Sequence, residues 1–277
     1  MSRTILSLTV AGSLSALVAL GSLPAAAQEH GSPVPPRQVW SFSGPFGTFD
    51  RAQLQRGFKV YREVCAVCHG LKYVAFRNLE GLGYSEAQVK QIASEYKVQD
   101  GPNDQGEMFE REGRAADHFP PPWPNENAAR ARYNGVPPDM SVLAKARSYE
   151  RGFPWFIFDI FTQFQEQGPD YIHALMVGYK QKPPEGFSLP AGSFYNEYFP
   201  GHTIAMPPPL SDKQVEYTDG SPTTVDQYAK DVAAFLMWAA EPHMEQRKRI
   251  GFQVMIFLLA FAGLLYFTKK KVWADAH

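Results

Sequence analysis

Cys65 and Cys68 are the only cysteines among 277 residues, and His69 follows the second directly, in Val64-Cys-Ala-Val-Cys-His-Gly70. Two thiols three residues apart, with an imidazole behind them, suit three chemistries. A structural zinc site needs four ligands, commonly from a second Cys or His pair at similar spacing. No third cysteine exists, and the other histidines (His30, His118, His173, His202, His243, His277) are scattered along the chain. A thioredoxin-type redox pair belongs in a βαβ setting, which the flanking sequence does not suggest. The third chemistry is C-x-x-C-H, the signature of c-type haem attachment. Each thiol adds across one vinyl group of the porphyrin, and the next residue is held beneath the iron as its proximal ligand.

A ligand on the other side of the iron decides the job. A thioether there raises the potential and suits electron transfer, whereas an open position suits gas or peroxide chemistry. Of the eight methionines, Met1 and Met255 lie in apolar terminal runs, and Met237 and Met244 lie on or beside the last soluble helix. Met176 reads as helix packing. Met108, Met140 and Met206 remain. Met206 leads, because the three prolines behind it in "IAMPPPL" give a stiff, extended carrier for a weak ligand. Met140, in "GVPPDMS", follows on the same logic, and His202 keeps a bis-His arrangement open.

Helices must position these groups. "DRAQLQRGFKVYREVC" starts with Asp50 as N-cap and Gln53 three residues on, a capping-box pattern. Leu54, Phe58, Tyr61 and Val64 or Cys65 then recur at helical spacing. Gly57 inside that helix costs about 1 kcal/mol against alanine, which asks for a packing reason. The partner expected for it is "TTVDQYAKDVAAFLMWAAEP", with Thr224 and Gln227 as a second capping box. One stripe of that helix carries Val225, Tyr228, Val232, Phe235, Leu236 and Ala239. His69 is expected to donate its second ring N–H to a backbone carbonyl. Pro242 is expected at a bend after this helix.

Both ends carry addressing information. Residues 1–27 read as a cleaved signal peptide: Arg3, an apolar core, then small residues ending at Ala27. Ile250 to Phe267 is an apolar run of eighteen residues, about 27 Å as a helix against a hydrocarbon core of about 30 Å. Arg247, Lys248 and Arg249 precede it and Lys269, Lys270 and Lys271 follow, so charge alone does not orient it. The signal does. The expected organisation is therefore a periplasmic haem domain over 28–246, an anchor helix over 247–268 and a cytoplasmic tail over 269–277, in a bacterial inner membrane. Both cysteines are then consumed in a compartment where a spare thiol risks a disulfide. Without signal, anchor and tail, 20 basic residues face 27 acidic ones, a net charge of −7. That balance points to a basic partner and away from nucleic acid.

Together, "VCAVCHG", "DGPNDQGEMF", "FPPPWPN", "AARARYNGVPPDMS", "YFPGHTIAMPPPL" and "KDVAAFLMWAAEPHMEQRKRIGF" are far more specific than the haem signature alone. On these segments the chain resembles the cytochrome c1 family, the membrane-anchored haem subunits of quinol–cytochrome c oxidoreductase (bc1) complexes. The resemblance implies a mainly α fold: a class I cytochrome c-like haem domain with long insertions, plus one C-terminal transmembrane helix. In that fold the first helix ends in the haem tether and the last crosses it near a glycine. It implies one covalent haem c on Cys65 and Cys68, with His69 and Met206 as axial ligands and Arg130 beside a haem propionate. It also implies the partners: cytochrome b, a Rieske iron–sulfur protein as electron donor, a soluble or anchored c-type cytochrome as acceptor, and a dimeric parent complex.

A free-standing, membrane-anchored cytochrome c is the alternative job; a haem peroxidase and a cofactor-free disulfide protein are more distant ones. The chain carries no H-E-x-x-H, no G-x-x-x-x-G-K, no G-x-G-x-x-G and no G-x-S-x-G. About 137 residues separate His69 from Met206, more than a minimal cytochrome needs, and the aromatic-rich 153–164 stretch lies among them.

Overall fold

The Asp50 carboxylate accepts the N–H groups of Ala52 and Gln53 at 2.9 and 3.2 Å, and this cap starts α1 (Arg51–Glu63). The structure is a computed structural model and describes residues 34–133, 135–147, 158 and 167–274. The leader 1–27 and, Phe158 apart, the 153–164 stretch lie outside the described residues. After α1 come 3₁₀ turns at Cys65–Val67 and Phe76–Leu82, then α2 (Glu86–Ser94). Strands β1 (Lys97–Asp100) and β2 (Phe109–Glu112) pair antiparallel, with Lys97 opposite Glu112. Next follow α3 (Glu126–Tyr133), α4 (Leu143–Ala146) and α5 (Gln167–Val177). A two-residue ribbon joins β3 (Phe194–Tyr195) to β4 (Thr203–Ile204), and α6 (Val225–Ala240) and α7 (Met244–Val272) close the order. The chain is mainly helical, as its periodicity predicts.

Helices α1 and α6 make the core, and they cross at Gly57. A β-carbon on Gly57 would stand 2.0 Å from the Asp231 carbonyl oxygen and 2.7 Å from the Phe235 side chain. Here is the packing reason that offsets the helix-propensity cost of glycine. Leu54, Phe58 and Tyr61 are buried as the stripe predicts, with Phe58 and Tyr61 each packing a ring against Phe235.

On α6 the pattern differs from expectation. Instead of one stripe, every residue from Tyr228 to Ala239 is buried except Lys230, because α1 covers one side while α4 and α5 cover the other. Its cap differs too. The Thr224 hydroxyl accepts the Gln227 N–H at 3.4 Å, but the Gln227 amide donates forward to Asp231 at 2.9 Å.

Asp231 is wholly buried and fully partnered. Arg56 donates to it through Nε at 3.0 Å, the Tyr217 hydroxyl at 2.9 Å, and Gln227 as above. Arg56 also meets Asp219 at 2.7 Å. Burial opposes the Arg56 charge, but hydrogen bonds and attraction from Asp231 and Asp219 outweigh it and hold the group above its ordinary value. A buried ion pair of this kind contributes little net stability, yet breaking it is costly.

α6 stops at Ala240 and α7 opens at Met244, with Pro242 in the three-residue joint. The Glu241 carboxylate is held there by Lys145 at 2.6 Å and by Arg247. The 29 residues of α7 contain the apolar Ile250–Phe267 run, whose side chains are almost all exposed. An exposed helix of this composition is the transmembrane helix of the chain.

Candidate functional site

Helix α1 delivers the two cysteines at its C-terminal end. After Val64 the backbone tightens, and the N–H groups of Cys68 and His69 both donate to the Cys65 carbonyl, at 3.0 and 2.9 Å. Three further groups pin this short turn. The Tyr61 hydroxyl donates to the His69 carbonyl at 3.1 Å, and Trp123 Nε1 donates to the Cys68 carbonyl at 3.3 Å. The Cys68 thiol donates to the Tyr133 hydroxyl at 3.3 Å.

His69 is buried, and its Nδ1 lies 2.7 Å from the Pro138 carbonyl oxygen, as the expected ring N–H bond requires. A carbonyl only accepts, so the proton sits on Nδ1 and Nε2 keeps its lone pair. Burial pulls the His69 pKa below its ordinary value despite the Pro138 bond and nearby Asp139, so the ring is neutral, the form that binds metal. The segment carrying Pro138 is laced to the chain after His69. Met140 N–H donates to the Gly70 carbonyl at 2.8 Å, Lys72 N–H to Asp139 Oδ2 at 2.9 Å, and Tyr73 N–H to Ser141 Oγ at 3.0 Å.

These groups fit a haem better than a lone metal ion. Cys65 and Cys68 are free and half-buried. No three His, Cys, Asp or Glu side chains converge on one ion-sized point among the described residues. Two peripheral thiols and a separate imidazole are what a porphyrin with two vinyl groups and a central iron requires. Burial, then the neighbouring Cys68, push the Cys65 thiol up to about 12, so it is not the ready thiolate of a thioredoxin-type redox pair.

The candidates for the second ligand separate by their surroundings. Met140 is buried in the core, its backbone tied to Gly70 beside His69. His202 belongs to the β3–β4 ribbon: its ring stacks on Tyr195 at 5.5 Å and 18°, with Nδ1 3.2 Å from the Asn196 carbonyl oxygen. Met108 is exposed. Met206, half-buried, follows β4 and leads into Pro207, and the Tyr179 hydroxyl donates to its carbonyl at 3.1 Å. Arg130 lies on an exposed face of α3, paired with Glu126 at 3.1 Å, while the Arg132 guanidinium lies 5.8 Å from the Trp123 ring centre.

Sequence reasoning took Tyr61 as helix packing alone, without its bond to the His69 carbonyl, and missed Trp123, Tyr133, Asp139 and Tyr179. Trp123, Tyr133 and Asp139 stand in the proline-rich stretches "FPPPWPN" and "RYNGVPPDMS", where a polar aromatic or Asx group beside a stiff backbone is a usable signal.

The model of the Cytochrome C1 family matches residues 40–276. The chain belongs to the cytochrome C1 family. Its relatives include "Cytochrome b/c1" of Bradyrhizobium diazoefficiens, 66% identical over 262 residues. That alignment takes in 93% of this chain but only 38% of the longer relative. "Cytochrome c1" of Blastochloris viridis is 51% identical over 266 residues, 94% of each chain. "Cytochrome c1" of Rhodospirillum rubrum is 44% identical over 240 residues, 86% of this chain and 87% of that one. Membership of the cytochrome C1 family brings haem c as the cofactor and agrees with the mainly helical fold and the single apolar C-terminal helix.

Proposed function

We propose that the chain is the electron-transferring haem subunit of a bc1 complex, taking one electron from a Rieske iron–sulfur protein and passing it to a c-type cytochrome. The observation that carries this reading is the bond from His69 Nδ1 to the Pro138 carbonyl, directly behind two free thiols. It supplies a neutral imidazole of fixed tautomer and orientation, as a proximal ligand requires. Haem c, once bound through Cys65 and Cys68, supplies a one-electron iron couple.

The chain's own residues do the rest. His69, through Nε2, and Met206, through its thioether sulfur, would be the residues that hold the haem iron. Met140 is tied to the His69 side and His202 is engaged in its ribbon, which supports Met206. The stiff Pro207–Pro209 run and the Tyr179 bond restrict drift of the Met206 backbone. As a thioether the Cys68 sulfur could only accept, and the Tyr133 hydroxyl, now 3.3 Å away, would be its donor. Arg130, paired with Glu126 in this structure, would be the residue that neutralises a haem propionate, through a bidentate guanidinium–carboxylate pair.

The haem domain, 28–246, lies on the periplasmic side of a bacterial membrane after removal of 1–27, with the span over 247–268 and the tail, 269–277, in the cytoplasm. Names of relatives such as "Cytochrome b/c1" support cytochrome b as a neighbour in the bilayer; that the parent complex is a dimer is what the family resemblance implies. A net charge of −7 favours docking of a basic cytochrome at low salt.

Detergent extraction followed by a pyridine haemochrome spectrum tests the reading. A c-type spectrum that co-migrates with haem b and a 2Fe–2S centre is expected. A lone haem c species would favour the free-standing shuttle, and a colourless protein would end both readings.

A further inference from the structure

The turn from Ser43 to Gly47 lies far from the haem-tether residues in sequence, and neither family membership nor electron transfer gives it work. It is built tightly. Gly44 has φ of +74°, Pro45 fixes its own φ, and a β-carbon on Gly47 would stand 2.1 Å from the Ser43 carbonyl oxygen. The Ser43 N–H donates to the Trp40 carbonyl and the Thr48 N–H to the Ser41 carbonyl, both at 3.1 Å. At the tip this compact frame displays one large apolar side chain, Phe46, 72% exposed.

Helix α7 grips the turn on both sides. Lys248 Nζ donates to the Phe42 carbonyl at 2.5 Å, and the Phe49 N–H donates to Glu245 Oε1 at 2.8 Å. Arg51 adds an ion pair to the same carboxylate at 3.1 Å. Between these two grips, Phe46 meets Phe252 edge-to-face, ring centres 5.4 Å apart at 76°. Glu245, Lys248 and Phe252 are spaced three and four residues apart, so one face of α7 makes all three contacts.

Phe252 fixes the depth. The apolar run of α7 begins at Ile250, so Phe252 lies about 3 Å inside it along the helix axis. The headgroup layer adds only several ångströms to each side of a hydrocarbon core of about 30 Å. A side chain touching Phe252 from outside the helix is therefore at the boundary between headgroups and acyl chains, level with the basic residues preceding the run. A protein partner of ordinary size would want some 800 Å² of complementary surface. One phenylalanine on a Ser-Gly-Pro-Phe-Gly turn offers a single ring instead, a fit for fluid lipid.

We propose that the Ser43–Gly47 turn is a second membrane contact, with Phe46 inserted among lipid acyl chains beside α7, so that the haem domain stands on two points instead of one. This rests on α7 being the span, and the test separates the two.

Single cysteines for nitroxide labelling replace Phe46, Asp104 in the exposed β1–β2 loop and Leu258 mid-span, in the full chain within its membrane complex in phospholipid nanodiscs. Collision rates with oxygen and with a water-soluble nickel chelate give each label's depth. A Phe46→Cys label is expected to read between the Asp104→Cys and Leu258→Cys labels, with oxygen favoured over nickel. A reading equal to Asp104→Cys overturns the proposal, placing the turn in water. Exclusion of both reagents also overturns it, assigning Phe46 to a neighbouring subunit. If Leu258→Cys itself reads as water, the span fails and the proposal with it.

Discussion

The Asp231 carbonyl oxygen stands so close to Gly57 that a β-carbon there would be 2.0 Å away. Backbone, not a movable side-chain tip, is in the way. Gly57→Ala gains about 1 kcal/mol of helix propensity but forces α1 and α6 apart, and overpacking of a tight core costs about 1–3 kcal/mol or more. With the obstruction this deep, the net is a loss of about 2 kcal/mol, read as a lower urea midpoint. An unchanged or raised midpoint would mean that the crossing has slack.

Arg56→Ala strands a wholly buried carboxylate, Asp231, with only the Tyr217 and Gln227 donors left. The expected cost is about 3–5 kcal/mol. Replacing both partners, as Arg56→Met with Asp231→Leu, should recover more than half of it. A double-mutant cycle measures this coupling, and strict additivity would count against the pair.

His173, on α5, is buried with Nε2 2.9 Å from Asp226 Oδ1. Burial lowers its pKa; Asp226 pulls the other way, Lys230 adds to the lowering and Asp170 opposes it. The folded chain therefore prefers the neutral ring, against an unfolded value of about 6.5. Stability from this group is complete above about pH 6.5 and falls as pH drops towards the depressed folded value. Urea midpoints between pH 7 and 5 should decline in the parent and decline less in His173→Phe. Equal slopes would remove His173 as the cause.

Met140→Leu and Met206→Leu form a matched pair. At Met140 the swap conserves volume in the core and should cost less than about 1.5 kcal/mol, leaving the visible and near-infrared spectra intact. Met206→Leu should abolish the near-infrared sulfur–iron band and lower the midpoint potential steeply, because thioether ligation raises it. The reverse outcome would hand the ligand role to Met140.

How much was legible in the sequence depended on the range of the interaction. Local signals read well: Asp50 caps α1, the Leu54–Phe58–Tyr61 stripe is buried, and the apolar Ile250–Phe267 run is an exposed helix. Gly57 announced a close approach, though not what approached. Relations across the chain were hidden. Nothing near His69 names Pro138, 69 residues away, as the acceptor for its ring. Nor does the α6 pattern reveal burial on every side, since Ala229, Ala233 and Ala234 read as neutral helix formers until α4, α5 and α1 surround them. Arg130 and Arg132 stand two residues apart on one short helix, and only the structure distinguishes the ion pair with Glu126 from the contact with Trp123.

Glu241, Pro242 and His243 are all that separate the central core helix from the helix in the bilayer. Three residues span at most about 10 Å when fully stretched, and Lys145 and Arg247 already draw Glu241 in. Such a short leash gives the redox centre no reach. Any donor or acceptor with which it trades electrons has to do the travelling itself.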